Sequence, residues 1–354
     1  MIRMPRLLDD KLYEVDSLTP TSLSLEMQLD NTYRASMTLA DDYPIHLHDW
    51  VRVYTENEDA GIYRVTGISH EYGKQKAVTL MHGFDILADQ IYPAEVEFSG
   101  TVGSFFTDVL GRQTSLIGGT YGWQLGTCDI VSSTAYNVSI RYDTLADLIR
   151  NFMDHFPEFY MSFDQSSLPW TFNILSRPAS LVDASNPGMP ETEFRLARNV
   201  LSCAVTQDDS DLCTRVYLTV NGSQVWNYND ADAQQLYGII AKHFDITTAD
   251  YPSPQAYARW YLREHNKPHG QITLDVRDIH GSTGEDLDKI SISKLGRLAR
   301  LALPDYGETY EETLLSIKYP DLLNEPDRST VELAHQMTIF TQYAKRNGYV
   351  YYNA

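Results

Sequence analysis

The stretch HDWVRVYTENEDAGIYRVTGISHEYGKQKAVTLMHG, from His48 to Gly83, decides the fold. Apolar residues alternate with polar ones at its start, and a polar turn containing Gly61 separates this run from the next. Alternation with period two, bounded by glycine and acidic residues, predicts β-strands. The stretch therefore predicts a small β-module with the order strand, turn, strand, loop, strand. Its strand segments are the run with Val51 and Val53, Tyr63–Ser69 and Ala77–Met81.

A second stretch near the other end of the chain repeats this order. It reads LGRLARLALPDYGETYEETLLSIKYPDLLNEPDRSTVELAH, from Leu295 to His335, with Gly307 in the place of Gly61. Two copies of one module predict two related barrels and not the core of a single enzyme. The corresponding segments are the run with Leu298 and Arg300, Glu312–Tyr319 and Thr330–Ala334.

Length and composition describe a globular chain of several domains. At 354 residues the chain is too long for one small core, so two to four domains are expected. No apolar run approaches the roughly 20 residues that a membrane helix requires. The start of the chain, MIRMPRLLDDKLYEV, lacks the apolar segment of a secretory signal, so we expect function without export by that route.

The charge and the cysteines exclude several classes of site. The net charge of −20 repels phosphate, so stable binding of nucleic acid is not expected, although DNA passing through a channel remains compatible with it. Cys128, Cys203 and Cys213 lack the spacing of a zinc site or a disulfide framework. Cys203 and Cys213 are predicted on adjacent strands, where they either face each other or are simply two buried thiols.

The pattern along the chain predicts a multidomain fold of mixed β and α+β class, with two small β-barrel domains, an α+β domain between them and a helical insertion in the second barrel. The predicted parts are a first β-barrel hub domain at 1–95, an α+β domain at 96–195, a second β-barrel hub domain at 196–228 and 270–335, a helical insertion at 229–269 and a C-terminal tail at 336–354.

Three helices and two turns stand out locally. The predicted helices are an apolar stripe of Val102, Phe105, Phe106 and Val109 ended by Gly111, a helix capped by Asp143 or Thr144 and ended by Pro157, and a helix started by Ser253-Pro254 and ended by Pro268. A hairpin is expected over Val200–Val220 with its turn at DDSD, and Asn221-Gly222 predicts the next tight turn.

Side chains that could take part in catalysis or metal binding are present, but they do not form the motif of a known site. His46 and His48 are predicted to share one face of a strand near Asp41, Asp42 and His82, yet no spacing fixes a third zinc ligand. HEYGK at His70 lacks the second histidine of H-E-x-x-H, and no nucleophile elbow, P-loop or dinucleotide fingerprint occurs. The acidic pairs Asp208-Asp209 and Glu311-Glu312 are expected among 48 acids and are interpreted as solvated loops. No catalytic, cofactor-binding or metal-binding residue is therefore predicted.

The order of the elements in the second half resembles a known family. The segments that carry the likeness are the hairpin Val200–Val220, YGIIAKHFDIT, SPQAYARWYLREHNKP, GQITLDVRDI, LGRLARLAL and EETLLSIKYPDLLNEPDRSTVELAH. They are similar to the N-terminal hub part of the phage tail-associated proteins, the prophage tail or tail endopeptidase family, whose relatives are baseplate hubs of contractile tails and injection machines. The likeness covers most of residues 20 to 335.

The resemblance implies a structural role without catalysis. It implies a homotrimer whose two barrels per subunit form a pseudo-six-fold ring, located at the tail tip or baseplate of a virion and assembled in the host cytoplasm. Such a ring joins a hexameric distal tail protein or tail tube to the tip and closes the channel before DNA ejection. A tape-measure protein and tip fibre or receptor-binding proteins are the other implied partners. Many relatives continue into a lytic domain, but this sequence ends at Ala354, so lytic activity is not inferred.

Two alternative functions and one question about the C-terminal tail remain open from the sequence. If the chain is not a structural hub, one alternative is a peptidoglycan-cleaving tail enzyme. The other is a carbohydrate-binding receptor module, since β-rich folds with many tyrosines often bind sugars. The aromatic tail from Phe340 to Tyr352 is either a disordered terminus or a segment that docks on a neighbouring subunit or tip protein.

Overall fold

The structure, a computed structural model, describes residues 3–29, 33–71, 73–117, 122–156, 159–176, 190–246, 254–266 and 268–334. The aromatic tail, Pro157 and Ser253 lie outside these residues. Among its described residues, the elements of the N-terminal part are β-strands and one short 3-10 helix at Gly83–Asp89. Its strands are β1 (Arg6–Leu8), β2 (Glu14–Ser17), β3 (Ser22–Gln28), β4 (Tyr33–Ala40), β5 (Trp50–Tyr54), β6 (Asp59–Glu71) and β7 (Gln75–His82).

The central part packs two helices against two small sheets, as an α+β texture predicts. Helix α1 buries Phe105, Phe106 and Val109 but continues through Gly111, so the prediction that this glycine ends it was wrong. Gln113, two residues beyond Gly111, is buried and hydrogen-bonds to both the carbonyl and the amide of Trp123, and these contacts offset the cost of about 1 kcal/mol for an interior glycine. The elements are β8 (Glu95–Thr101), α1 (Val102–Ile117), β9 (Trp123–Cys128), β10 (Ala135–Arg141), α2 (Leu145–His155), β11 (Phe159–Asp164) and β12 (Trp170–Ser176).

Helix α2 begins as its sequence predicts. The hydroxyl of Thr144 accepts a hydrogen bond from the amide of Asp147, and Thr144 is the N-cap. Phe152 and Ile149 on its inner face are fully buried. Strand β8 pairs with β10, while β12 lies between antiparallel β11 and parallel β9.

The second half alternates between two sheets. Its elements are β13 (Thr192–Arg195), β14 (Val200–Asp208), β15 (Arg215–Val220), β16 (Gln224–Asn229), α3 (Ala231–Tyr237), β17 (Ala241–Ile246), α4 (Pro254–His265), β18 (His269–Arg277), α5 (His280–Thr283), β19 (Leu298–Leu303), β20 (Glu308–Tyr319) and β21 (Arg328–Ala334). Further 3-10 turns lie at Asp286–Asp288, Ile292–Lys294 and Pro304–Tyr306.

The predicted hairpin over Val200–Val220 was wrong. Strand β14 pairs with β18, whereas β15 pairs with β16 and β17 in a separate three-stranded sheet that α4 covers. Cys203 and Cys213 therefore do not face each other, and both are free thiols. The tight turn at Asn221-Gly222 is confirmed, because both residues have positive φ and join β15 to β16.

The large sheet contains the same five-stranded unit twice. The order β3-β4-β7-β6-β5 in the first module matches β14-β18-β21-β20-β19 in the second, and the neighbouring pairs are antiparallel in both. One hydrophobic core holds both modules. The repeated module is thus present in the fold. The pairing of the described strands gives an open order without a closed barrel, so barrel closure and the domain boundaries remain predictions.

The repeat extends to individual residues. Both long strands shift register at the same place, between Val65 and Gly67 in β6 and between Leu314 and Ser316 in β20. When the modules are aligned on this shift, Val51 corresponds to Ala299 and Val53 to Leu301. The sequence alone favours Leu298 and Arg300, which are one residue earlier. Because Leu298 and Ala299 are both buried, alternation alone leaves that one-residue shift undetermined. Gly61 lies inside β6 opposite Val53, not in the turn that corresponds to Gly307.

Before the first strand of each aligned pair, the backbone adopts the same left-handed conformation. His48 has φ 72° and Gly296 has φ 78°. The amide of His48 donates to the carbonyl of Val65, and the amide of Gly296 donates to that of Leu314, both at 2.9 Å. The two modules therefore begin with the same type of turn. Only the second module has glycine at its left-handed position, the residue that this conformation favours.

This pair supports a prediction about stability. A β-carbon on Gly296 would lie 3.1 Å from Leu29 and 3.2 Å from Tyr160 at a positive φ, so Gly296→Ala is expected to lower the free energy of unfolding by about 1–3 kcal/mol. His48→Ala is the matched control and is expected to change it by less than about 0.5 kcal/mol. Urea denaturation of both variants tests this, and equal stabilities would contradict the left-handed backbone and the close approach of Leu29 and Tyr160 at Gly296.

Candidate assembly surface

The junction between the two modules is a pair of strand edges. The C-terminal half of β20 leaves β19 and pairs with β3 of the first module, in the register Ser316↔Gln28 to Tyr319↔Leu25. Backbone bonds of 2.8 Å from Leu29 to Leu315 and from Leu322 to Leu23 extend the contact at its two ends. The fourth strand of one module thus binds the first strand of the next.

Side chains from two loops support this junction. Glu58, between β5 and β6, accepts hydrogen bonds from the hydroxyl of Ser291 and the amide of Ile292. The neighbouring Asn57 donates to Asp278 at 2.6 Å. These contacts join residues more than 200 positions apart, so they fix the modules relative to each other.

The corresponding edges at the far ends of the two modules carry no strand among the described residues. In the first module, β6 beyond Val65 pairs only with β7. In the second module, β18 is the one strand paired with β14 among the described residues, and a single bridge from Val200 to Leu196 lies at the start of β14. Exposed edges of this kind are templates for pairing with another chain. Each module therefore presents one half of the junction that joins them.

An apolar segment is also exposed on the second half. Leu236 and Ile239 have 75% and 62% of their surface accessible, and Tyr237 and Ile240 are exposed as well. The segment is held in place, since the hydroxyl of Thr214 donates to the carbonyl of Gly238 and accepts from the amide of Ile240, both at 2.8 Å. A fixed apolar patch of this kind is typical of a protein contact surface.

The histidines considered as metal ligands are not brought together. His46 and His48 lie in the loop before β5 and not on a strand, and the His46 ring lies 3.6 Å from Asp49. His82 is buried in β7. The carboxylate of Asp41 accepts from the amide of Gly73 and contacts the ring of His70, and these bonds lower its pKa. Within the described ranges no three His, Cys, Asp or Glu side chains form a metal-binding group.

The acidic pairs do not form a catalytic arrangement either. Glu311 bonds to Arg300 across the β19–β20 pair, and Glu312, its neighbour on the strand, is largely buried. Neighbouring strand residues point to opposite faces, so the two carboxylates do not share a site. The solvated-loop interpretation is wrong for this pair, because both residues lie within β20. Asp208 ends β14 and Asp209 begins the following turn.

Sequence reasoning missed a buried polar contact between the first module and the central part. Gln165, in the turn between β11 and β12, accepts from the amide of Ile62 at 2.7 Å and donates to its carbonyl at 3.1 Å. Its side chain thus continues the ladder of β6 as a short strand would. A third hydrogen bond joins the Gln165 side chain to His82. A glutamine in a polar turn gives no sequence signal for such a role.

Burial governs the chemistry of His82. Its ring packs among Tyr33, Tyr63 and Phe163 at centroid distances of 4.9 to 5.5 Å. This apolar environment lowers the pKa of His82 to about 3, although the bond with Gln165 opposes the shift. Nδ1 accepts from the amide of Phe84, so the neutral ring carries its proton on Nε2. A histidine held neutral in a core is a structural residue.

The comparisons with known proteins agree with this architecture. In the described part of the chain, no helix combines the length and apolarity needed to cross a membrane. No family model matches the sequence, and no curated protein matches it. The prophage tail protein gp18 from Listeria monocytogenes EGD-e is 13% identical, with 98% of each chain covered and a TM-score of 0.64.

Two further structures are similar. The tail protein from Neisseria meningitidis MC58 is 12% identical over 96% of this chain and 97% of its own, with a TM-score of 0.63. The Escherichia coli c3393 protein, a type VI secretion component described as similar to the T4 tail proteins gp27 and gp5, is 11% identical over 88% of this chain and 72% of its own, with a TM-score of 0.50. At such identities the likeness concerns the fold, and in its fold this chain is similar to phage tail proteins, as the order of its elements predicts.

Proposed function

We propose that this chain is a structural hub protein at the tip of a phage tail or a related injection device, and not an enzyme. The observation that carries the proposal is the repeated module, whose copies are joined edge to edge and leave two matching edges unused. The similarity in fold to tail proteins supports the same role. Each module is proposed to curl into a barrel around the shared core.

Three copies of a chain with two equivalent modules form six similar units around one axis. A homotrimer would therefore convert the six-fold symmetry of a tail tube or distal tail protein into the three-fold symmetry of a tip. A tape-measure protein inside the tube and tip fibre or receptor-binding proteins below it are the further partners of this proposal. The exposed segment around Leu236 and Ile239 is the contact surface proposed for one of them.

The charge of the chain fits a channel that conducts DNA without retaining it. A net charge of −20 disfavours contact with phosphate, so DNA would meet no binding site on its way out. Closure of the channel before ejection, by this protein in the virion tail tip, completes the proposal. Assembly would take place in the host cytoplasm.

Mass photometry and electron microscopy of the purified full chain test the proposal. We expect a particle of about 121 kDa, three times the chain mass of 40.3 kDa, and end views with six similar units around a centre. A stable monomer at working concentrations would overturn the hub. Lysis of cell walls in zymography, or specific hits on a glycan array, would favour the enzyme or the carbohydrate-binding module in its place.

A further inference from the structure

The junction within the chain specifies a second junction between chains. In the internal junction, β20 and β3 are the fourth and first strands of their modules in the aligned order. Their counterparts are β6 in the first module and β14 in the second. These are the two edges that carry no strand among the described residues.

We propose that β6 of one copy, from Gly67 onward, pairs antiparallel with β14 of a second copy. The inference rests on the proposed hub and specifies its subunit contact. Module 2 binds module 1 within each chain, and module 1 would bind module 2 of the next chain by the same strand pairing. Alternation of the two junctions leaves neither of these two edges unused when the ring closes.

The repeat also fixes the register. Gly67 corresponds to Ser316, because both follow the register shift of their strand. On the other edge, Val205 corresponds to Leu25. Val205 lies opposite Ile272 and Leu25 lies opposite Ala35. Ile272 and Ala35 are equivalent in turn, because they pair with Leu333 and Leu80, which precede the two register shifts. Transfer of the internal register then gives these pairs between copies: Gly67↔Asp208, Ile68↔Gln207, Ser69↔Thr206 and His70↔Val205.

The side chains on these edges fit that register. Ile68 and Val205 are partly buried against the shared core, on the inner face of the sheet. Ser69 and Thr206 are exposed on the outer face. Their hydroxyls would lie directly opposite each other, a favourable cross-strand pair. On the inner face Ile68 would lie opposite Gln207 and Val205 opposite His70, so each edge would add one apolar side chain beside the core, and the outer face would stay polar.

The hydrogen-bond pattern selects the residues for a crosslink. In the internal junction, Leu29 and Leu315 form a hydrogen-bonded pair, so by alternation Glu26 and Lys318 form a non-hydrogen-bonded one. Ser69 and Thr206 take the places of Lys318 and Glu26. Their α-carbons would therefore lie about 4.5 Å apart, within the range that a disulfide spans.

The experiment mixes two single variants of the full chain under mild oxidation. Ser69→Cys with a mass tag and untagged Thr206→Cys are expected to give a covalent dimer on a non-reducing gel, and the double variant a covalent trimer. Ser69→Cys mixed with Ala204→Cys is the matched control, with the cysteine on the same face but two residues out of register. We expect about tenfold less crosslink there, since diagonal neighbours exceed disulfide reach. Each single variant alone controls for Cys128, Cys203 and Cys213.

A proline substitution gives a second measurement. By the same equivalence, the amide of Gln207 points to the neighbouring copy and that of Thr206 to β18. Gln207→Pro is expected to shift the particle towards the monomer in mass photometry with the circular dichroism spectrum retained, because the edge loses a donor that only the neighbour uses. A trimer that survives Gln207→Pro unchanged would count against the pairing.

The outcomes separate this inference from the function on which it rests. A trimer without the Ser69–Thr206 crosslink, or with an equal one at Ala204, overturns the register and leaves the hub standing. A monomer overturns both. A crosslink that forms only after residues 335–354 are removed would mean that the chain's own end covers this edge, and it would overturn the pairing in the intact protein.

Discussion

Replacing Trp170 by alanine is expected to lower the free energy of unfolding of the central part by about 3–5 kcal/mol. Trp170 is fully buried, with its ring centroid 5.5 Å from that of Trp50 and 5.2 Å from that of Trp123. It lies so close to the backbone at Gly83 that a β-carbon there would be 2.7 Å from its ring. Backbone on one side and two large rings on the other cannot move to fill the space, so most of the cavity would remain.

Urea denaturation followed by circular dichroism, at one protein concentration for all variants, measures this loss. Trp226→Ala is the matched control, since Trp226 is only partly buried in the separate sheet of β15, β16 and β17. We expect a loss of about 1–2 kcal/mol there. Equal losses in the two variants would show that Trp170 does not occupy a rigid site between the first module and the central part.

The helices were predictable because each carries its own signal. Thr144 caps α2 in the structure as it does in the sequence, and α4 begins at Pro254 as the sequence predicts. Such signals act within one or two turns of chain. The prediction at Gly111 failed because α1 beyond this glycine is held by tertiary contacts, those of the buried Gln113 with the backbone of Trp123, which a local signal does not contain.

The pairing of strands was less predictable because it joins distant residues. Val200–Val220 reads as a hairpin, since two alternating runs flank a polar turn, but β14 pairs with β18, more than 60 residues later. Strand patterns predict that a segment is a strand and which face it buries, but not which partner it takes. The repeat compensates for this limit, because the pairing in one module predicts that in the other.

The assembly surface is the feature that the sequence contains least. An edge is defined by the strands that are absent from it, so no residue pattern in β6 or β14 marks one. The exposure of the segment LYGII was not predicted, although apolar residues in a short connection are a signal of an exposed patch.

Acid is expected to destabilise the folded chain through His82. The pKa of this histidine is about 3 in the folded protein and about 6.5 in an unfolded chain. Between these values the unfolded state binds one more proton, so the stability conferred by the neutral ring is complete above about pH 6.5 and decreases as the pH falls. At pH 4.5 the loss relative to neutral pH is expected to be about 3 kcal/mol.

The loss is measured as the change in unfolding free energy between pH 7.5 and pH 4.5, compared between the unmodified chain and His82→Gln. Carboxylates such as Asp41 also weaken the fold in acid, because bonding lowers their pKa, but they contribute equally to both proteins and cancel in the difference. The variant is expected to lose about 3 kcal/mol less over this range, whatever its stability at pH 7.5. His46→Gln, at an exposed histidine, is expected to follow the unmodified chain. If His82→Gln follows it as well, His82 is not held neutral by burial, and the packing of its ring between the first module and the central part is different from that described.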